Sequence, residues 1–538
     1  MSGAWGALQA LAFSTPIYRL MLSGRTPTAL TASLADYWPG DTEHGRLLVE
    51  GRVALLGHTV ALAGAERWAP PGTPAVWRQM LNRFGWLRDL RELGGDAARK
   101  TARDLVDDWI GRFQDWEAEA WAPDTLAARI ANWIGHYDFF CASADDAYRQ
   151  RFFDSLARQC RHLARVADSA RPGAGAVSVL KGLIYAGACL ETGEGRLAQA
   201  EGLLVSILDG QVLPDGGHVS RSPSLHLQVL RDLIDIRTAL RLSERPAVPA
   251  LQQAIEAMGA MLRAWRHGDG GLALFNDSAE ERATLVDAVL AQAEARGRPP
   301  VAAEFTGFQR LTAGRLVLIA DCGVPSEVDG RAHAGTLSFE ASVGKERLIV
   351  NCGSAPGHPE WNPALRQSAA HSTAILDDLS SSDIDAEGRI ARRPQEVTAR
   401  RDERDGALWL DCSHDGYLSS HTVTHRRRLY LSGAGDDLRG EDSLIGPGRG
   451  RFAIRFHLHP GVRASLAQSG NLVHLRLPGG MGWAFRCAGA SLNLAESVYL
   501  GRKGNSRRSQ QMVLAGELPG SAAGVVVKWA LRREDRKG

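Results

Sequence analysis

The sequence predicts a multidomain α+β protein in which an all-α half precedes an antiparallel β-sandwich. Its length and a change of hydrophobic period carry that prediction. At 538 residues the chain is longer than one hydrophobic core supports, since domains usually run to about 100–200 residues. Up to residue 300, stretches such as AARKTARDLVDDWIGRFQDW and TLAARIANWIGHYDFF repeat apolar residues at i, i+3, i+4 and i+7. That is the period of an amphipathic helix. After residue 305 the period falls to two in RLVLIADCG, TLSFEASVG, ALWLDCS, VTHRRRLYLS and FAIRFHLHP, among others. Roughly a dozen such runs lie between Gly, Asp and Pro turns, the pattern of a two-sheet sandwich.

Residues 1–75, with the patches Trp38-Pro39-Gly40 and Ala69-Pro70-Pro71-Gly72, read as a mixed N-terminal extension. Residues 76–300 form the all-α domain. Helices are expected at about 80–92, 100–116, 124–140, 146–168, 176–192, 195–209, 223–242, 247–265 and 279–296. Residues 301–538 form the sandwich. Ten of the 14 tryptophans, at 5, 38, 68, 77, 86, 109, 116, 121, 133 and 265, fall before residue 300. Most sit at helical spacing among Leu and Ile, so core packing is their default role. Stacking on a pyranose face is the alternative.

Composition excludes several classes. Lys plus Arg total 63 against 61 Asp plus Glu, so no global field steers nucleic acid, and none is expected as partner. Seven dispersed cysteines with no CxxC suggest neither a disulfide framework nor a zinc knuckle. No run approaches the ~20 apolar residues of a membrane span. The N-terminal stretch lacks a basic n-region and an Ala-x-Ala site, so a cytoplasmic location is expected. There is no GxxxxGK[ST], HExxH or GxSxG. The Gly-rich GAGAV at 173–177 precedes a helix without a preceding strand, and GPGRGR at 446–451 reads as a hairpin loop.

Histidine is the first place to look for chemistry, because its charge changes near neutral pH. His333 and His371 both precede strands, at loop positions where side chains can converge. His457 and His459 are two apart and would share a strand face, as metal ligands or as a structural pair. In LPDGGHVSRSPSLHLQ, Pro214 to Gly217 make a tight loop, Ser222 an N-cap and Pro223 a first helical residue. His218 and Arg221 therefore stand at a helix N-terminus, where an anion binds well; pairing of Arg221 with a neighbouring carboxylate is the plainer account. Lys181, on an apolar helix, is either a binding cation or a snorkelling one.

The ordered segments FGWLRDL (84–90), RIANWIGHY (129–137), KGLIYAG (181–187), LPDGGHVSRSPS (213–224), AHAGTLSFE (332–340), LIVNCGS (348–354) and AAHSTAILDD (369–378) resemble the heparinase II/III family of polysaccharide lyases, from about residue 80 onward. The resemblance implies an incomplete (α/α) toroid followed by the sandwich. It also implies β-elimination of an acidic, uronate-containing polysaccharide in a cleft between the domains, in periplasm or envelope by the family's habit. It implies no required cofactor, with a structural zinc as a possible addition. His333 and His371 match the family's two sandwich histidines, and Asn351 stands where a zinc-binding Asp is usual, so His333, Asn351 and His371 form the candidate metal set. Arg331 replaces a second His, and Gly335 an Asp. Ala174 and Gly175 occupy the expected Asn-His pair, and Leu225, before His226, the expected Tyr. On one reading this is a lyase with His218, Arg221, His333 and His371 as catalytic residues. His333 or His218 would be its base, Arg221 or Arg366 would face the carboxylate, and Lys181, His226 and Arg366 would bind substrate. On the other it is a non-catalytic acidic-saccharide-binding protein serving envelope or exopolysaccharide metabolism. A glycoside hydrolase using two of Asp215, Asp269, Asp277 and Glu340 ranks third.

Overall fold

In a computed structural model, residues 3–64, 66–169, 173–191, 193–502 and 506–534 are described. The chain divides into two compact units, one of residues 1–211 with 229–255 and one of residues 212–228 with 256–538.

The first unit is helical. Its longer helices are Gly95–Arg112, Pro123–Gly135, Asp146–Val166, Ala174–Cys189 and Glu194–Gln211. Starts follow the local chemistry: Pro123 occupies the first helical turn, and Asp145 caps its helix by accepting from the Tyr148 N–H. The single helix expected over 80–92 is two, Ala75–Asn82 and Leu87–Leu93. Between them Phe84 takes a left-handed backbone (φ 59°). Its ring packs with Trp68, Trp86, Trp109 and Trp133 at centroid distances of 4.9–6.0 Å. Burial of this aromatic cluster outweighs helix continuity. Trp38, Trp77 and Trp121 are also buried, so core packing accounts for these rings; the Trp5 side chain lies outside the described residues. The N-terminal segment adds the helix Thr42–Val49 and a short hairpin, Arg52–Leu55 with His58–Ala61.

The second unit is an antiparallel sandwich. One sheet has eight strands in the order Val397–Arg404, Ala407–Tyr417, Val423–Leu431, Asp437–Ile445, Val525–Arg533, Gly482–Ala488, Leu472–Arg476 and Arg463–Leu466. The nine-stranded sheet includes Arg449–Leu458, Glu346–Val350, Phe339–Val343 and Leu316–Asp321. Alternate side chains of both sheets fill one core, including Leu318, Phe339, Phe456, Leu410, Trp483 and Trp529. GPGRGR does not close a hairpin. It carries the chain from the eight-stranded sheet into the nine-stranded one, with Gly446 and Gly450 at φ 141° and 126°.

The helical-period segments 212–228 and 256–300 do not follow a linear cut at residue 300. They join the sandwich unit, tied by Asp215 to Thr306 (2.6 Å to N, 2.5 Å to Oγ1) and by His267 to Glu340 (3.0 Å).

One close approach fixes the sandwich packing. A Cβ on Gly440 would lie 2.1 Å from the Trp529 ring. Gly440→Ala is expected to lose about 1–3 kcal/mol through overpacking, read as a lower denaturant midpoint; an unchanged midpoint would show that the ring can step aside.

Candidate functional site

The candidate site lies within the sandwich unit, where three loops converge: residues 213–224, 274–281 and 331–335. The first is closed by Leu213 N–H to Gly217 O (2.8 Å) and by the bridge between Val212 and His218. His218 is fully buried. Its Nδ1 accepts from the Ser220 N–H at 3.2 Å and meets the Ser220 hydroxyl at 2.7 Å. Burial, with help from His226 and Arg331, pushes its pKa down to about 3, so it is neutral at physiological pH.

Arg221 has a left-handed backbone (φ 59°) and points inward. Its Nε donates to Thr306 O (2.7 Å), one terminal nitrogen to Val324 O (2.9 Å) and the other to Asp321. The guanidinium lies 5.0 Å from the Phe308 ring. The helix-terminus anion expected from the sequence is thus Asp321, a protein carboxylate, and Arg221 locks the loop to the strand Leu316–Asp321. His226 is buried too, edge-on to Trp265, with Nε2 2.9 Å from Met258 O. Lys181 belongs to the helical unit. Its ammonium binds Asp232 (2.8 Å) and Asp235 (2.7 Å); burial is the largest single effect and lowers its pKa, but the charges and hydrogen bonds of the two aspartates together outweigh it and raise the pKa.

The second loop contributes Asn276 and Asp277, consecutive residues with φ 49° and 61°. Asn and Asp adopt this left-handed region more readily than other non-glycine residues. The Asn276 amide oxygen accepts from the His333 N–H (3.2 Å), and its nitrogen donates to Arg221 O (3.1 Å). Asp277 binds Arg331 (2.7 Å), leaving its other oxygen buried without a partner.

The third loop brings His333 to His371. Their Nδ1 and Nε2 atoms are 3.2 Å apart, and both rings are buried. In this contact one of the two nitrogens donates and the other accepts. Burial pushes the His371 pKa down to about 4 against a smaller opposing effect of the Leu365 carbonyl, and its Nδ1 has no hydrogen-bond partner. His333 Nε2 has no hydrogen-bond partner. Burial first, then His371 and Arg366, hold the His333 pKa well below its ordinary value. Arg366 donates to Ala332 O (2.9 Å) while its Nε stays buried and unpartnered. Arg331, by contrast, is about one-third exposed.

The candidate metal set does not fit zinc. The Asn351 amide is consumed on both sides, accepting from Ser372 N–H (3.1 Å) and donating to Leu274 O (3.2 Å). A carboxamide is also a weaker zinc donor than the carboxylate it replaces. Among the described residues no group of three His, Cys, Asp or Glu side chains gathers that could hold a metal. The other histidine pair does not meet: His457 binds Ser497 (2.8 Å) and Ala369 O (3.0 Å), whereas His459, beyond the strand end, faces Glu280 (3.7 Å). The carboxylates proposed for hydrolysis hold the structure: Asp215 binds Thr306, Asp269 binds Arg347, Asp277 binds Arg331 and Glu340 binds His267.

Arg331, Asn276 and Asp321 stand in this site without having been singled out as functional from the sequence. Only the paired Asn-Asp before Ser278, a local signature for left-handed backbone, could have pointed to one of them.

Comparisons with known proteins agree with this architecture. Residues 295–530 match the family model described as Heparinase II/III-like, C-terminal. The chain is 33% identical over 567 aligned positions to FtsZ-localized protein C of Caulobacter vibrioides (strain NA1000 / CB15N), covering 99% of this chain and 96% of the relative. A crystal structure of heparinase III superposes with a TM-score of 0.75 at 12% identity, covering 96% of this chain and 88% of that one. Heparan sulfate lyase HepC from Pedobacter heparinus superposes at 0.60 with 15% identity, covering 97% and 88%. Both likenesses speak for the fold. Among the described residues no helix is long and apolar enough to cross a membrane. The chain belongs to the heparinase II/III-like family.

Proposed function

We propose that this protein acts on an acidic, uronate-containing polysaccharide by β-elimination, with His333 as the proton-transfer residue. The observation that carries this reading is the buried, unpartnered Nε2 of His333, aligned by His371 and close to the positive field of Arg366. Arg366 and Arg331 neutralise the uronate carboxylate, so that negative charge developing next to it when C5 loses its proton is stabilised. His333 Nε2 takes that proton, the C4–O bond breaks with its electron pair leaving on oxygen, and C4=C5 forms. The imidazolium then returns the proton to the departing oxygen. A buried histidine with a depressed pKa is a ready donor once charged, which removes the need for the Tyr that Leu225 replaces. Arg221 and His218 act as positioning residues for the loop.

The test is ultraviolet absorbance of unsaturated uronate ends over a panel of acidic polysaccharides. His333→Ala is expected to lower kcat by about 10²–10⁴-fold, and Arg366→Ala to raise KM as well. Absence of unsaturated product across the panel, with polysaccharide still bound, would instead support the non-catalytic binding reading, which the burial of Leu225 at the Tyr position favours. The relative's name, FtsZ-localized protein C, supports placing either activity where FtsZ is.

A further inference from the structure

The sandwich carries a second feature on the outer face of the eight-stranded sheet, opposite the inner face from which Arg427 reaches Ser372. A groove of about 1040 Å³ crosses the strands there. Strand register sets its chemistry. Trp409 pairs with Tyr430, Tyr430 with Arg439, Arg439 with Ala530, and Ala530 with Arg486. These five outward side chains form one row perpendicular to the strands, four interstrand steps or about 19 Å long. At one end the Trp409 and Tyr430 rings lie 4.6 Å apart, and the Arg439 guanidinium sits 5.3 Å from the Tyr430 ring. Trp409 is 46% exposed, a large cost in unburied apolar surface for a sheet that covers Trp529 and Trp483 completely. The middle is low, because Ala530 presents only a methyl group. Arg486 closes the far end, exposed.

The neighbouring row is Arg400, Asp411, Arg428, Glu441 and Lys528. It alternates in sign and is partly self-paired, Arg428 with Glu441 and Lys528 with Glu441 at 3.8 Å. Counting the whole lining, six Arg and Lys face three Asp and Glu; Arg439 is also bound by Asp437 just beyond it, which leaves a surplus of two positive charges in a chain whose net formal charge is only +2.

We propose that this groove is a glycan-binding site, distinct from the His333 site, for a short stretch of anionic polysaccharide. The exposed Trp409 ring, inclined at 55° to a half-buried Tyr430, offers an apolar face to a pyranose ring, and the exposed Arg400 and Arg486 offer forked donors to carboxylate or sulfate. An acidic peptide is the less suited occupant. Peptides that add to sheets pair with a free strand edge, whereas the strands of Trp409, Tyr430, Arg439 and Ala530 each have strand neighbours on both sides. Such a site would hold a polymer on the protein whether or not His333 acts on it.

The test is calorimetric titration of the full chain with a heparin octasaccharide, an uncharged cello-oligosaccharide and poly-glutamate of similar length. The expected result is binding of the anionic glycan alone, weakened at least tenfold by Trp409→Ala and by Arg486→Glu. Melting temperatures of both variants should match the wild type, as the two side chains are exposed. Binding untouched by both substitutions would overturn the proposal, and so would equal, Trp409-independent binding of poly-glutamate, which would make the face a general anion or peptide surface. Absence of any glycan binding would overturn it too. The unsaturated-end assay reads the His333 chemistry separately, so either reading can fail alone.

Discussion

Asp442→Ala is expected to cost about 3–5 kcal/mol of stability, because it strands a buried charge. Asp442 is fully buried in the eight-stranded sheet. One carboxylate oxygen accepts from Arg427 Nε (2.7 Å) and His425 Nε2 (2.8 Å), the other from Trp529 Nε1 (2.9 Å). Arg427 also donates to Leu337 O (2.8 Å) and Ser372 O (2.7 Å), binding loop carbonyls near the candidate site. The tautomers follow in sequence. Gly416 N–H donates to His414 Nδ1 (3.0 Å), so His414 Nε2–H donates to His425 Nδ1 (3.3 Å), and His425 Nε2–H donates to Asp442. Arg427 and His425 hold the Asp442 carboxyl well below its usual range despite full burial, and burial keeps both histidines neutral. Removing the carboxylate leaves Arg427 uncompensated and two N–H groups without acceptors. Arg427→Met combined with Asp442→Leu should recover much of the loss, since no charge then remains to be desolvated. The measurement is chemical unfolding followed by tryptophan fluorescence. A loss below 1 kcal/mol for Asp442→Ala would mean that water reaches Arg427.

Acid is expected to unfold the sandwich unit well above the range where carboxylates titrate. Burial lowers the pKa of His218 and His457 to about 3, and of His226 and His371 to about 4. In the unfolded chain each returns to about 6.5. Between these values the unfolded state binds more protons, so stability rises with pH. It is fully present above about pH 6.5 and declines continuously as pH falls towards 4. At pH 5 the loss is roughly 2 kcal/mol for each ring with a folded pKa near 4, and four rings together rival the 5–15 kcal/mol stability of a typical domain. His136 and His162, both pushed down to about 4, impose the same sign on the helical unit with fewer groups. Calorimetry at pH 7.5, 6.5 and 5.5 should show the melting temperature falling at each step. A flat profile over that range would mean that these rings are hydrated and already titrate normally.

The helix-to-sandwich order was legible because periodicity reports which face is buried. The helices Asp146–Val166 and Pro223–Leu242 lie within two residues of expectation. What the sequence hid was set by distant packing. The strand Asp437–Ile445, DLRGEDSLI, reads as a polar turn because its inward Gly440 is reserved for the Trp529 ring. The strand Ser491–Tyr499 lies at a sheet edge and has only two buried positions, so its apolar signal is thin. At the site, the meeting of His333 with His371 followed from family resemblance rather than spacing. The partner of Arg221 lies 100 residues away and that of Arg331 lies 54 residues away, separations fixed by strand register and left-handed turns that no local pattern encodes.

The discontinuous division of the chain has a consequence for its synthesis. The segment 212–228 belongs with residues that follow 256, yet a ribosome delivers residues 229–255 of the helical unit first. Asp215 must wait for Thr306, and Arg221 for Asp321. At about 5–20 residues per second the 100 residues separating the last pair take roughly 5–20 s to emerge. During that interval the loop that becomes one wall of the site is a nascent, unanchored hairpin with an unpaired arginine. Completion of the helical unit and assembly of the site are therefore successive events in translation, and a polypeptide ended near residue 300 would contain the loop with its Asn276 and Ser278 contacts but without Thr306 and Asp321.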